Sequence, residues 1–130
     1  TVDKSIVLSS VTSPTVTATS ANVAPGKISA TVQSNTGFRI SLSAATPALT
    51  SGSDTIPASS TVVAGTSGWG VQKSGSTAYT ALTTSPVEFY SQTTSKPTAG
   101  AVDINFGVAV SKAQAPGTYS TTVTVTAANI

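Results

Sequence analysis

Toward the C-terminus the chain alternates apolar and polar residues with a period of two. Val102, Ile104, Phe106, Val108 and Val110 all occupy even positions, so an extended backbone turns them to one face. After a break at Gln114, Ala115, Pro116 and Gly117 the alternation resumes at Tyr119, Val123, Val125 and Ala127. Thr118, Ser120, Thr122, Thr124 and Thr126 turn the other way. Alternation built from β-branched residues marks half-buried antiparallel strands. Two long strands joined by one turn are therefore expected over residues 101–111 and 118–127.

Shorter runs of the same kind predict strands over residues 5–9, 15–20, 27–34, 37–43, 69–73 and 87–91. Ile28, Ala30 and Val32 share one face, and so do Phe38, Ile40 and Leu42. Between them, Gln33-Ser34-Asn35-Thr36-Gly37 offers an Asn and a Gly that tolerate positive φ, which predicts a tight hairpin. Residues 44–67 hold Pro47, Gly52, Pro57 and Gly65, and read as a long loop or a pair of small edge strands. Residues 92–100, with Lys96-Pro97, read as a crossover. No segment has the helical period. The fold class expected is all-β: a single Ig-like or jelly-roll-like antiparallel β-sandwich of about 7–9 strands.

The N-terminus carries the main functional expectation. Val2, Ile6 and Leu8 share a face, and Ser9, Ser10, Thr12, Ser13 and Pro14 form a polar hinge behind them. An apolar strand on a hinge is what donor-strand assembly requires. Residues 1–12 are then a strand lent to a neighbour, and residues 13–130 the sandwich domain that receives one. Val102, Ile104, Phe106, Val108 and Val110, or Val123 and Val125, are the candidate lining of the acceptor groove. The competing reading keeps residues 5–9 as the first strand of their own sandwich.

Composition narrows the function classes. About a third of the chain is Ser or Thr, well above ordinary usage. Charged residues make up 8% and sum to a net +2, with Lys4, Lys27, Arg39, Lys73, Lys96 and Lys112 scattered singly. No basic run favours nucleic acid or an anionic membrane. Hydroxyls in place of charges solubilise copies without mutual repulsion, as a fibre subunit needs. Cys, His and Met are absent, so no disulfide, thiol or imidazole chemistry is available. No apolar stretch approaches the roughly 20 residues of a membrane span. The chain begins without a basic-then-apolar leader, as a mature exported protein would. It has no Asn-x-Ser/Thr sequon, so any glycan would be O-linked. The expected location is extracellular or on the cell surface.

Catalysis finds little to work with. A Ser-His-Asp or Cys-His constellation needs residues the chain lacks. The four carboxylates, Asp3, Asp54, Glu88 and Asp103, fall in separate strands and loops, unlike a paired glycosidase site. We expect no enzyme and no cofactor. Zinc and copper have no imidazole or thiolate ligand, and calcium would have only Asp54 in Ser51-Gly52-Ser53-Asp54-Thr55. Trp69, flanked by Gly68 and Gly70, reads either as a core plug or, with Tyr79, as a ring that stacks on a sugar. The second reading makes the chain a monomeric adhesin or carbohydrate-binding module for surface glycans. Tyr119, after the Pro116-Gly117 turn, fits a corner residue whose hydroxyl ties the loop down. A Lys–Asn cross-link is a further candidate, with Lys4 or Lys27, Asn105 or Asn129, and Glu88 assisting.

Several short motifs carry a family likeness: Gln33-Ser34-Asn35-Thr36-Gly37-Phe38, Gly68-Trp69-Gly70 and Phe106-Gly107-Val108. The longest is Ala115-Pro116-Gly117-Thr118-Tyr119-Ser120-Thr121-Thr122-Val123-Thr124-Val125. On these the chain resembles exported bacterial surface and pilus-like β-sandwich proteins. The ending is similar to the terminal strand of spore-coat-U-type and related fimbrial subunits. Chaperone-assembled fimbrial subunits usually carry a disulfide, and this chain has no Cys. TasA-like fibre subunits, which polymerise without cysteine, are a second comparison. The resemblance implies a cell-surface fibre or matrix subunit whose partners are copies of itself.

Overall fold

The computed structural model describes residues 5–8 and 22–130, with side chains for 27–95 and 100–130. Among the described residues every regular element is a strand. In chain order these are β1 (Ser5–Leu8), β2 (Asn22–Ser34), β3 (Phe38–Ala44), β4 (Leu49–Ser51) and β5 (Asp54–Ile56). β6 (Gly68–Lys73), β7 (Val87–Gln92), β8 (Lys96–Ala109) and β9 (Val123–Asn129) follow. All pairings between these strands are antiparallel, in sheets ordered β1-β2-β8-β6, β7-β3-β9 and β4-β5. The strand expected over 15–20 lies outside the described residues.

The larger sheets turn their apolar faces onto one core, in a sandwich-like arrangement. The first contributes Ala30, Val32, Val71, Val102 and Ile104, and the second Phe38, Ile40, Leu42 and Ala44. Ile56 from β5 and Leu82 from the link before β7 close its ends. The strict burial alternation along β3 is what a strand with one solvated face must show. Removing a buried side chain of this kind, as in Ile104→Ala, typically costs about 2–5 kcal/mol.

The turn between β2 and β3 corrects the sequence expectation. The two strands are not hydrogen-bonded neighbours but belong to different sheets. Residues 35–37 form an arch over the edge of the core, so both apolar faces meet it from opposite sides. Buried Ser34 organises this arch: its Oγ donates to Gly37 O at 2.8 Å and accepts from Gly37 N at 3.2 Å and Thr36 N at 3.3 Å. Gly37 has φ +138, and a Cβ there would stand 2.6 Å from Gln92 O. Only glycine fits that position.

Residues 44–67 contain the β4–β5 pair of small strands, one of the two forms expected. The final strand begins later than the alternation suggests, at Val123. Ser120 instead exchanges two backbone bonds with Thr50, each 3.0 Å. Tyr119 Oη donates to Ala115 O at 2.6 Å and accepts from Gln114 Nε2 at 2.9 Å, pinning the corner. β8 reaches back to Lys96, through residues that read as a link. Two register shifts between β2 and β8 leave extra residues at 23–25 and at 97–99, and these hold Pro25 and Pro97. A proline without an N–H is accommodated in such a bulge.

Candidate functional site

Among the described residues β1 is a four-residue strand at the edge of its sheet, with one neighbour, β2. Its register sets Ser5 opposite Gln33, Ile6 opposite Val32, Val7 opposite Thr31 and Leu8 opposite Ala30. Ala30 and Val32 are fully buried. The two apolar positions named as anchors thus stand beside core residues of the next strand. Val2 lies outside the described residues.

The acceptor residues named from the sequence divide into two groups. β8 is a central strand, bonded to β2 on one side and β6 on the other. Val102 and Ile104 are buried, and Phe106, Val108 and Val110 pack against the same core. From Ile104 to Ala109 both edges of β8 are taken, so Ile104, Phe106 and Val108 line the interior of a paired strand, whereas Val102 lies beyond the end of the β6 pairing. Val123 and Val125 sit differently, on β9 at the margin of the three-stranded sheet, half-buried against the core. Periodicity shows which residues face inward, but strand order decides which strand has an edge.

The stacking pair is not brought together. Trp69 is 3% exposed, and its Nε1 donates to Pro47 O at 3.0 Å, so the ring is a core plug. Gly70 pairs directly with Gly107 on the opposite face of the sheet. A Cβ on Gly107 would collide with the Tyr79 ring, 2.7 Å from Cζ, and one on Gly70 would stand 3.2 Å from Tyr79 Cβ. The half-buried Tyr79 therefore fills a hollow made by two glycines. Of the glycines flanking Trp69, Gly70 serves that hollow and Gly68 lies against Ser59 and Thr61, and neither exposes the indole. The Gly68-Trp69-Gly70 and Phe106-Gly107-Val108 motifs were visible in the sequence, but their pairing was not.

Charged groups lie dispersed on outer faces. Ser29 Oγ donates to Asp103 Oδ1 at 2.5 Å, and Lys27 Nζ reaches Asp103 Oδ2 at 3.4 Å. The Ser29 bond, opposed by desolvation and helped by Lys27, holds the Asp103 carboxyl below the usual aspartate value. Glu88 pairs with Arg39 at 2.8 Å in the other sheet, both half-exposed. Lys27 stands directly opposite Asn105 across the β2–β8 pairing, as a Lys–Asn cross-link would need. Glu88, the acid named to assist, is however engaged with Arg39 in the other sheet, and Lys4 lies outside the described residues. Among the described residues no group of three or more acidic, His or Cys side chains converges, Asp54 included.

An open cleft of about 470 Å³ lies over the Trp69 end of the core, walled by Pro47, Ala48, Pro57, Ala58, Ala81 and Leu82. Its walls carry neither an aromatic ring nor a charge. Among the described residues no helix is long and apolar enough to cross a membrane. Comparison with family models, curated proteins and solved structures finds no match to this chain.

Proposed function

We propose that this chain is a secreted structural subunit that assembles head-to-tail into an extracellular filament or pilus by lending its N-terminal strand to the next copy. The fold in this reading is an Ig-like or jelly-roll-like sandwich whose first strand is exchangeable. The observation that carries it is the placement of β1 as a four-residue edge strand bonded, among the described residues, to β2 alone. Every bond in that pairing is equally available to the same segment of a neighbour, because the register on β2 does not depend on which chain supplies it. One lent strand per subunit is a heterologous contact, and repetition of it leaves an open filament instead of a closed ring. A Ser- and Thr-rich surface of low charge suits close packing of copies. The chain in this reading catalyses nothing.

The competing reading is a monomeric cell-surface carbohydrate-binding module. Burial of Trp69 and the ring-free walls of the cleft count against it, since sugar sites rely on exposed aromatic faces.

The test is a double substitution, Ile6→Asp with Leu8→Asp. Aspartates opposite fully buried Val32 and Ala30 oppose pairing in any chain. Sedimentation should show assembly lost while circular dichroism still reports strands. A synthetic peptide of residues 1–12 should bind this variant and protect its β2 edge from proteolysis. Normal assembly by the variant refutes the proposal.

A further inference from the structure

We infer that β9 pairs along its outer edge with β9 of a second copy, antiparallel about a two-fold axis at Thr126. Ile130 N–H donates to Gly37 O at 3.1 Å, and Ala45 N–H to Thr122 O at 2.8 Å. Both bonds continue the register that sets Phe38 opposite Asn129 and Ala44 opposite Val123. In an antiparallel ladder, alternate residues bond to alternate sides. The even-numbered residues of β9 therefore bond to β3. Val123, Val125 and Ala127 turn their N–H and C=O outward, where among the described residues no strand receives them.

The other sheet margins differ. Along β6, Trp69 N–H donates to Pro57 O at 3.0 Å, Ser59 N–H donates to Trp69 O at 2.7 Å, and Val71 and Thr80 exchange two bonds. β7 is broken in register opposite Ile40 and Ser41 and carries Glu88. β1 has four residues. β9 alone combines seven residues in unbroken register with a sequence free of proline and charge. An edge of that kind is a template for another strand, since the usual guards of Lys, Pro or a bulge are missing.

Charge and shape select a second β9 as the occupant. A strand bearing charges would set them beside half-buried Val123 and Val125. A copy of β9 brings no charge at all, and full antiparallel overlap sets Val125 opposite Ala127 of the other copy. In the same register the two Thr126 side chains face each other on the solvated side, and Thr124 stands opposite Ala128. The contact is isologous, so it ties subunits in pairs and is separate from strand lending.

Single cysteines test this register in a chain that has no cysteine of its own. Thr124 and Thr126 are both exposed, so Thr126→Cys and Thr124→Cys leave the core untouched. Facing residues of a non-hydrogen-bonded pair have Cα atoms about 4.5 Å apart, within reach of a disulfide. The two residue-124 positions would be displaced by roughly 13 Å along the strands. Under mild oxidation, Thr126→Cys should give a covalent dimer on a non-reducing gel, and Thr124→Cys should stay monomeric. The same pattern is expected in a chain lacking residues 1–12, which separates this contact from strand lending. Equal cross-linking of both variants, or cross-linking of neither, overturns the inference.

Discussion

Two glycines and one tyrosine show how single residues set this structure. Gly70 and Gly107 stand opposite each other, and the Tyr79 ring occupies the space a Gly107 side chain would need while its Cβ lies beside Gly70. A methyl group on Gly107 must displace that ring, and overpacking of this kind costs about 1–3 kcal/mol. Gly107→Ala should lower the urea midpoint accordingly, and the penalty should largely vanish in a Tyr79→Ala background. Additive losses in the double variant would show that Tyr79 is not what the glycine accommodates. Asp103 supplies a second prediction. Its carboxyl titrates below the ordinary 3.8 because Ser29, and then Lys27, stabilise the ionised form. Since the folded value is depressed, the stability it contributes is present above the unfolded value and lost as pH falls through the lower folded one. NMR titration of Asp103 should show a midpoint under 3.8 that rises toward it in Ser29→Ala. An unchanged midpoint in that variant would remove Ser29 as the main cause.

At the level of elements, much of the strand pattern was legible because burial on one face leaves a period-two trace. Phe38, Ile40 and Leu42 are all buried as their spacing implies, and Val102 and Ile104 likewise. The pairing of strands was less legible. Residues 33–37 carry the residues of a tight turn, yet a hairpin and an arch between sheets make the same demand for positive φ at Gly37. What separates them is the partner across the sheet, a long-range fact with no local signature. The same holds for β8, whose inward row gave no sign that β2 runs along one of its edges and β6 along residues 104–109 of the other. Pro97 marked a link in the sequence and sits in a bulge of β8, since an interruption in pairing need not end a strand. Thr118 to Thr122 alternate like a strand, but Ser120 spends its backbone bonds on Thr50 and Tyr119 bends the chain at the corner.

For the whole molecule, the two sheet margins that matter lie near each other at one end. Ser34 on β2 and Asn129 on β9 approach within 3.3 Å, and Gln33, beside Ser34, stands opposite Ser5 of β1. A filament built by lending β1 therefore passes close to the β9 edge, so strand lending and the two-fold contact would meet along one seam. The charge-poor, hydroxyl-rich surface sets little electrostatic barrier to either contact, and salt should affect assembly weakly. The central claim is that residues 1–12 supply the link between subunits. Negative-stain electron microscopy of the full chain beside a chain lacking residues 1–12 addresses it most directly. The account predicts filaments from the full chain and dispersed particles from the shortened one. Filaments of the same width from both, or dispersed particles from both, would contradict it.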